Sequence, residues 1–160
     1  MIIKQLGSVL TVFLLISCGE PNKNKIDYTS FSCINAQSHC IINSVFGDIL
    51  VTFNVKEVIP ETPFMVNVDI ALTKGEIFEQ NLQLTGHLEG KTMYMGKIPL
   101  FFSVVNKPQE NNKLTKQSFR SKVIIGSCNA DPMFWTLWLT VANKQGIKQR
   151  ISVDFFSRYQ

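Results

Sequence analysis

Two short stretches carry soft, sulfur-based donors at spacings that could serve one ion. The first is Met93-Tyr94-Met95-Gly96 and the second runs from Cys128 through Asp131 and Pro132 to Met133, Phe134 and Trp135. In an extended segment Met93 and Met95 point the same way, with Cα atoms about 6.6 Å apart. Thioether and thiolate donors favour Cu(I) among envelope metals. Cys128 and Met133 flank a short turn at the mouth of a tryptophan-bearing segment and could supply the other half of such a site. His87, six residues before Met93, is a further nitrogen donor. Gly96 would let the chain bend after the second methionine. The competing reading is plain packing. Methionine fills irregular core gaps, so Met95 would lie against Trp135 or Trp138, and Cys128 would be an inert buried thiol.

Residues suited to catalysis are sparse. Gly-x-Ser-x-Gly, His-Glu-x-x-His and phosphate-binding glycine loops are absent from the sequence. His39 and His87 are the two histidines, and no catalytic residue is assigned. The sequence therefore predicts a protein that binds rather than turns over a substrate.

The N-terminus fixes an expected location. MIIKQLGSVLTVFLLISC has one charge, Lys4, then an apolar and small-residue run from Leu6 to Ile16, ending Leu15-Ile16-Ser17-Cys18. A charged start, a short apolar run and small residues at a cut form a secretory signal. The run is too short to span a bilayer, which takes roughly 20 apolar residues. The last four residues resemble a bacterial lipobox. That resemblance implies removal of residues 1–17, acylation of Cys18, palmitate among its chains, and anchoring to a lipid bilayer. Gly19 rather than aspartate after the cysteine implies sorting to the periplasmic face of the outer membrane, with the inner membrane as the alternative.

The remaining 143 of the 160 residues carry 15 basic and 12 acidic side chains once Lys4 is removed. This length suits one domain. A hydrophobic content of 45% and an aromatic content of 11% exclude a disordered chain. The basic residues near Lys107, Lys113, Lys116, Arg120 and Lys122 lack interleaved aromatic platforms, so no nucleic-acid partner is expected. An oxidising compartment favours disulfides. Cys33 and Cys40 close a compact loop and form the expected bridge, worth about 2–3 kcal/mol by loop entropy. Cys128 is then the odd thiol.

Gly19 to Ser30 is polar and reads as a tether after Cys18, with a single domain over 31–160. Beyond it the apolar period is two. Val66, Val68, Ile70 and Leu72 alternate with polar or small residues. Leu82 and Leu84 begin another strand, as do Phe119, Ser121, Val123 and Ile125. Leu100, Phe102 and Val104 share a face, and Ile151, Val153 and Phe155 close the chain. Ile41–Val45 and Ile49–Phe53 flank a Phe46-Gly47-Asp48 turn. Phe134 to Val141 is apolar on both faces, which places it centrally in its sheet. About eight strands and no helix predict an all-β, immunoglobulin-like or fibronectin-like antiparallel sandwich. A small closed barrel is the alternative.

Met93–Pro99, followed by Gly126–Cys128 and Met133–Trp135, resembles a group of small uncharacterised proteobacterial periplasmic lipoproteins. Their pattern is Met-x-Met-Gly and a later Leu-x-x-Cys-Ser…Met-x-Trp. This chain has Ile124 and Ile125 before Gly126-Ser127-Cys128 and carries Asn129 in place of the serine. The Cys33…Cys40 pair also fits the group. The Met-x-Met-Gly layout is faintly similar to FixH/YtkA-like immunoglobulin-like domains, which implies copper handling. Two expectations follow. One is a Cu(I)-binding accessory or chaperone-type lipoprotein, with a copper-accepting protein as partner. The other is a metal-free envelope binding or scaffold module with an unknown protein partner.

Overall fold

A computed structural model describes residues 27–32, 39–72, 82–105 and 116–159. The signal segment, Cys18, most of the tether and Cys33 lie outside the described residues. Ten strands are described: β1 (Asp27–Ser32), β2 (His39–Ser44), β3 (Gly47–Phe53), β4 (Phe64–Leu72), β5 (Gln83–Gly90), β6 (Lys97–Leu100), β7 (Ser103–Val104), β8 (Lys116–Val123), β9 (Met133–Ala142) and β10 (Lys148–Ser157). They form two five-stranded sheets, in the orders β1-β10-β9-β5-β6 and β2-β3-β4-β8-β7. The architecture is an all-β sandwich. Every pairing is antiparallel except β1 with β10, which run parallel.

Alternation builds the layers. Val66, Val68 and Ile70 of β4, Ile49 and Val51 of β3, and Phe119 and Val123 of β8 are buried on one inner face. Trp135, Leu137, Leu139 and Val141 of β9 meet them with Ile151, Val153 and Phe155 of β10. β9 is the middle strand of its sheet, as its two-sided apolar pattern predicts. Phe53, Phe64 and Phe155 pack edge to face at centroid separations of 5.0–6.3 Å. This aromatic cluster fills the end of the sandwich where β9 begins and β10 finishes.

Three expectations need correction. The sheet starts at Asp27, inside the segment read as tether, because the polar strand DYTSFS pairs through its backbone along β10. The predicted strand through Leu100 and Val104 is two strands in different sheets. β6 pairs with β5, β7 pairs with β8, and Phe101 stands 82% exposed at the crossover. Its apolar character on both faces marks that change of sheet. The β2–β3 turn falls at Val45-Phe46, with Ser44 opposite Gly47, so the connection is one residue earlier than predicted. Phe46 is buried there, and Gly47 takes a φ of 113°, a left-handed conformation that glycine adopts without a Cβ penalty.

Candidate functional site

The sulfur residues gather at the aromatic end of the sandwich, on two loops. One loop joins β5 to β6 and carries Met93 and Met95. It is not a strand, which corrects the extended reading of this motif. Gly96 has a φ of 74°, so the bend expected there is present. The other loop leaves β8 after Val123, carries Cys128, crosses between the sheets and enters β9 at Met133, through a cis Asp131–Pro132 peptide bond.

Both loops are fastened. The Lys91 amide donates to the Phe134 carbonyl at 2.8 Å, and the Lys91 ammonium pairs with the buried Asp154 carboxylate. Thr136 also donates to Asp154, at 2.8 Å. Across the inner side, the loop lies directly over Gly90. A Cβ at that position would stand 2.1 Å from the Met93 carbonyl oxygen and 2.8 Å from the Met133 methyl. Only glycine fits there.

The thiol loop is held from the opposite side. Tyr159 Oη accepts from the Cys128 amide at 3.1 Å and donates to the Cys128 carbonyl at 3.0 Å. Ser127 donates to Glu61 at 2.6 Å, and the Glu61 amide donates to the Ile125 carbonyl at 2.9 Å. These contacts fix the Cys128 backbone while leaving its side chain partly exposed.

The decisive contact is between sulfurs. The Cys128 thiol donates to Met93 Sδ at 3.2 Å. Cys128 is a free thiol, and Met93 is 46% exposed. Met133 is 2% exposed and belongs to the core beneath the loop, while Met95 is half-buried and packs against that core. The Met95 methyl lies 3.8 Å from the position of a Cβ on Gly126, next to the thiol loop. The four sulfur residues thus share one end of the molecule. Met93 and Cys128 are in contact near the surface, and Met95 and Met133 line the core side.

His87 does not join them. It lies opposite Trp138, with its side chain on the outer face of the sheet, whereas Leu88 and Gly90 face inward. The alternation of β5 therefore turns His87 away from the sulfurs. Burial holds its pKa below the ordinary value of 6.5, against the opposing pull of Glu89, and Lys97 and Arg150 lower it further. Among the described residues, no group of three or more His, Cys, Asp and Glu is placed to hold a metal ion. A metal site here would have to be built on thioethers.

Cys40 is buried on β2, and the Cys33 side of the expected bridge lies outside the described residues. Of the expected basic group, Lys116 pairs with Asp69 at 2.9 Å, and Arg120 donates to Asn67 at 3.0 Å. Tyr159, Glu61 and Lys91 were not signalled as site residues by the sequence, since each reaches the site from a distant part of the chain.

No protein-family model and no curated protein matches the chain. Among solved structures, it is similar to a DUF4426 family protein from Pseudomonas aeruginosa PAO1. The similarity has a TM-score of 0.52 at 15% identity, and covers 78% of this chain and 98% of the other. The fold is shared with that small bacterial protein. At this identity the likeness concerns the fold alone.

Proposed function

We propose that the protein is a lipid-anchored accessory protein on the periplasmic face of the outer membrane that holds or passes Cu(I) without catalysis. The observation that carries the metal reading is the 3.2 Å contact between the free Cys128 thiol and the Met93 thioether. For metal–sulfur bonds of about 2.3 Å, two donors on one ion stand roughly 4 Å apart. A rotation of the exposed Met93 side chain opens that gap, and loss of the thiol proton makes Cys128 a thiolate ligand. Met95, half-buried beside Gly126 of the thiol loop, is the candidate for a third donor, and Met133 lies in the core beneath the Met93 loop. The anchor rests on the signal segment and the Leu-Ile-Ser-Cys sequence ending at Cys18.

Titration of the purified protein with Cu(I), under reducing conditions and against a chromophoric competitor, tests this reading. One equivalent should bind tightly, and a Met93→Leu/Cys128→Ser double variant of equal stability should lose that binding. Absence of binding, or equal binding by both proteins, would end the copper reading.

A metal-free binding module is the second reading. Tyr94 is 82% exposed beside the site, and Ile124 is 53% exposed where the thiol loop leaves β8. Large exposed side chains on the two loops of this end suit contact with a protein partner. Cross-linking from position 94 would identify that partner.

A further inference from the structure

Among the described residues, the end of the sandwich opposite the sulfur pair carries two hairpin tips. The β2–β3 turn and the β9–β10 turn stand side by side, because the side-chain carbonyl of the buried Gln149 accepts from the Val45 amide at 3.0 Å. Each tip is stiff. Phe46 N donates to Ser44 Oγ at 3.1 Å, and Ser44 Oγ donates to the Gly47 carbonyl at 2.5 Å. In the other tip the Ile147 amide donates to Asn143 Oδ1 at 2.9 Å, the Asn143 amide donates to the Ile147 carbonyl at 3.1 Å, and Gly146 takes a φ of 87°.

Turns of this kind normally carry polar residues. Here Val45 is 59% exposed and Ile147 is 53% exposed. Exposed Lys144 and Lys148 flank Ile147. The acidic residues of the described strands near this end are Asp27, Asp48 and Asp69, and Asp69 is already paired with Lys116. Aliphatic tips with flanking ammonium groups suit a phospholipid surface. The aliphatics enter the boundary of headgroups and acyl chains, and the lysines meet the phosphates.

The chain itself brings that surface near. β1 starts at Asp27 opposite Gln149, so the N-terminal segment reaches the sandwich at the tip end. Eight residues, 19–26, lie between Cys18 and Asp27, and the nine chain steps reach roughly 30 Å at full stretch. β10 has ten residues and is about as long. To place the sulfur end on the bilayer, the tether would have to run back along the whole sandwich fully extended.

We infer that the paired hairpin tips, Val45 and Ile147 with Lys144 and Lys148, rest on the phospholipid surface that holds the acylated chain, so the Met93–Cys128 end projects away from it. This rests on the lipid-anchor reading and is independent of copper.

The test uses the full-length, membrane-extracted protein in vesicles of phosphatidylethanolamine and phosphatidylglycerol. The photo-reactive amino acid p-benzoylphenylalanine replaces Val45, Ile147 or Tyr94 in turn. Lipid adducts, read by mass, should form at positions 45 and 147 at least fivefold more than at 94. Changing Lys144→Glu and Lys148→Glu together should lower the yield at 147 severalfold. Equal yields at 147 and 94, or no adducts in protein that floats with the vesicles, would overturn the inference. A chain that lacks acyl mass and does not float would instead remove the anchor, and this orientation with it. Intact mass separates that outcome from the other two.

Discussion

Gly90 is the residue on which the geometry of the sulfur loop turns. A methyl group there meets the Met93 carbonyl and the Met133 methyl at distances no packing tolerates. The β5–β6 loop must lift. Gly90→Ala should therefore destabilise the fold by roughly 2–3 kcal/mol in urea unfolding, and separate Met93 from Cys128 even where the protein remains folded. Met133→Ala acts differently. It leaves a cavity under the loop and should cost about 2–5 kcal/mol in the same measurement. His87 gives a pH signature. Its pKa is held below 6.5 in the fold, so the unfolded chain takes up a proton first as pH falls. Stability should then be level above pH 6.5 and decline as the pH drops through that value toward the folded pKa. His87→Gln should flatten the decline, as read from urea midpoints between pH 7.5 and 5.5. A His87 that ligated an ion with the sulfurs would instead show its titration change on adding Cu(I).

At the scale of elements, legibility followed burial. Strands with one buried face announced themselves by alternation, and β9 announced its central place by losing alternation. β1 was unreadable because DYTSFS is polar and contributes through backbone pairing. β6 and β7 were merged because the chain changes sheet within one apolar run, and periodicity carries no information about which sheet a strand joins. The site divides in the same way. The types and spacings of Met93, Met95, Cys128 and Met133 pointed to a common end. Tyr159, Glu61 and Lys91 are placed by tertiary contacts that leave no local pattern. β1 supplies a test of this account. Deleting residues 27–32 removes the ladder along β10 and exposes its edge. If Asp27–Ser32 were only tether the deletion would be neutral. With β1 as described, unfolding free energy should fall by roughly 2–4 kcal/mol, about 1 kcal/mol for each ladder bond. The uncovered edge should also promote self-association on size-exclusion chromatography.

The whole molecule is polar along its strands. Its hairpin tips carry aliphatics and lysines, and its opposite end carries sulfur over an aromatic layer. The fold shared with the Pseudomonas protein supplies the sheets. The sulfur end is made by the β5–β6 and β8–β9 loops and the other end carries the β2–β3 and β9–β10 turns. One further property follows from where those loops lead. The Met93 loop joins two strands of a single sheet, whereas the Cys128 loop passes from one sheet to the other. An ion shared by Met93 and Cys128 would thus be a clasp across the open end of the sandwich, resisting separation of the layers as a rivet resists delamination. Binding would then be recorded in the mechanics of the fold as well as at the site. At an ion concentration 100 times the dissociation constant, the clasp would add about 2.7 kcal/mol. That is a rise of roughly 5–10 °C in the melting temperature for a domain of this size, absent from a protein whose thiol end stays open.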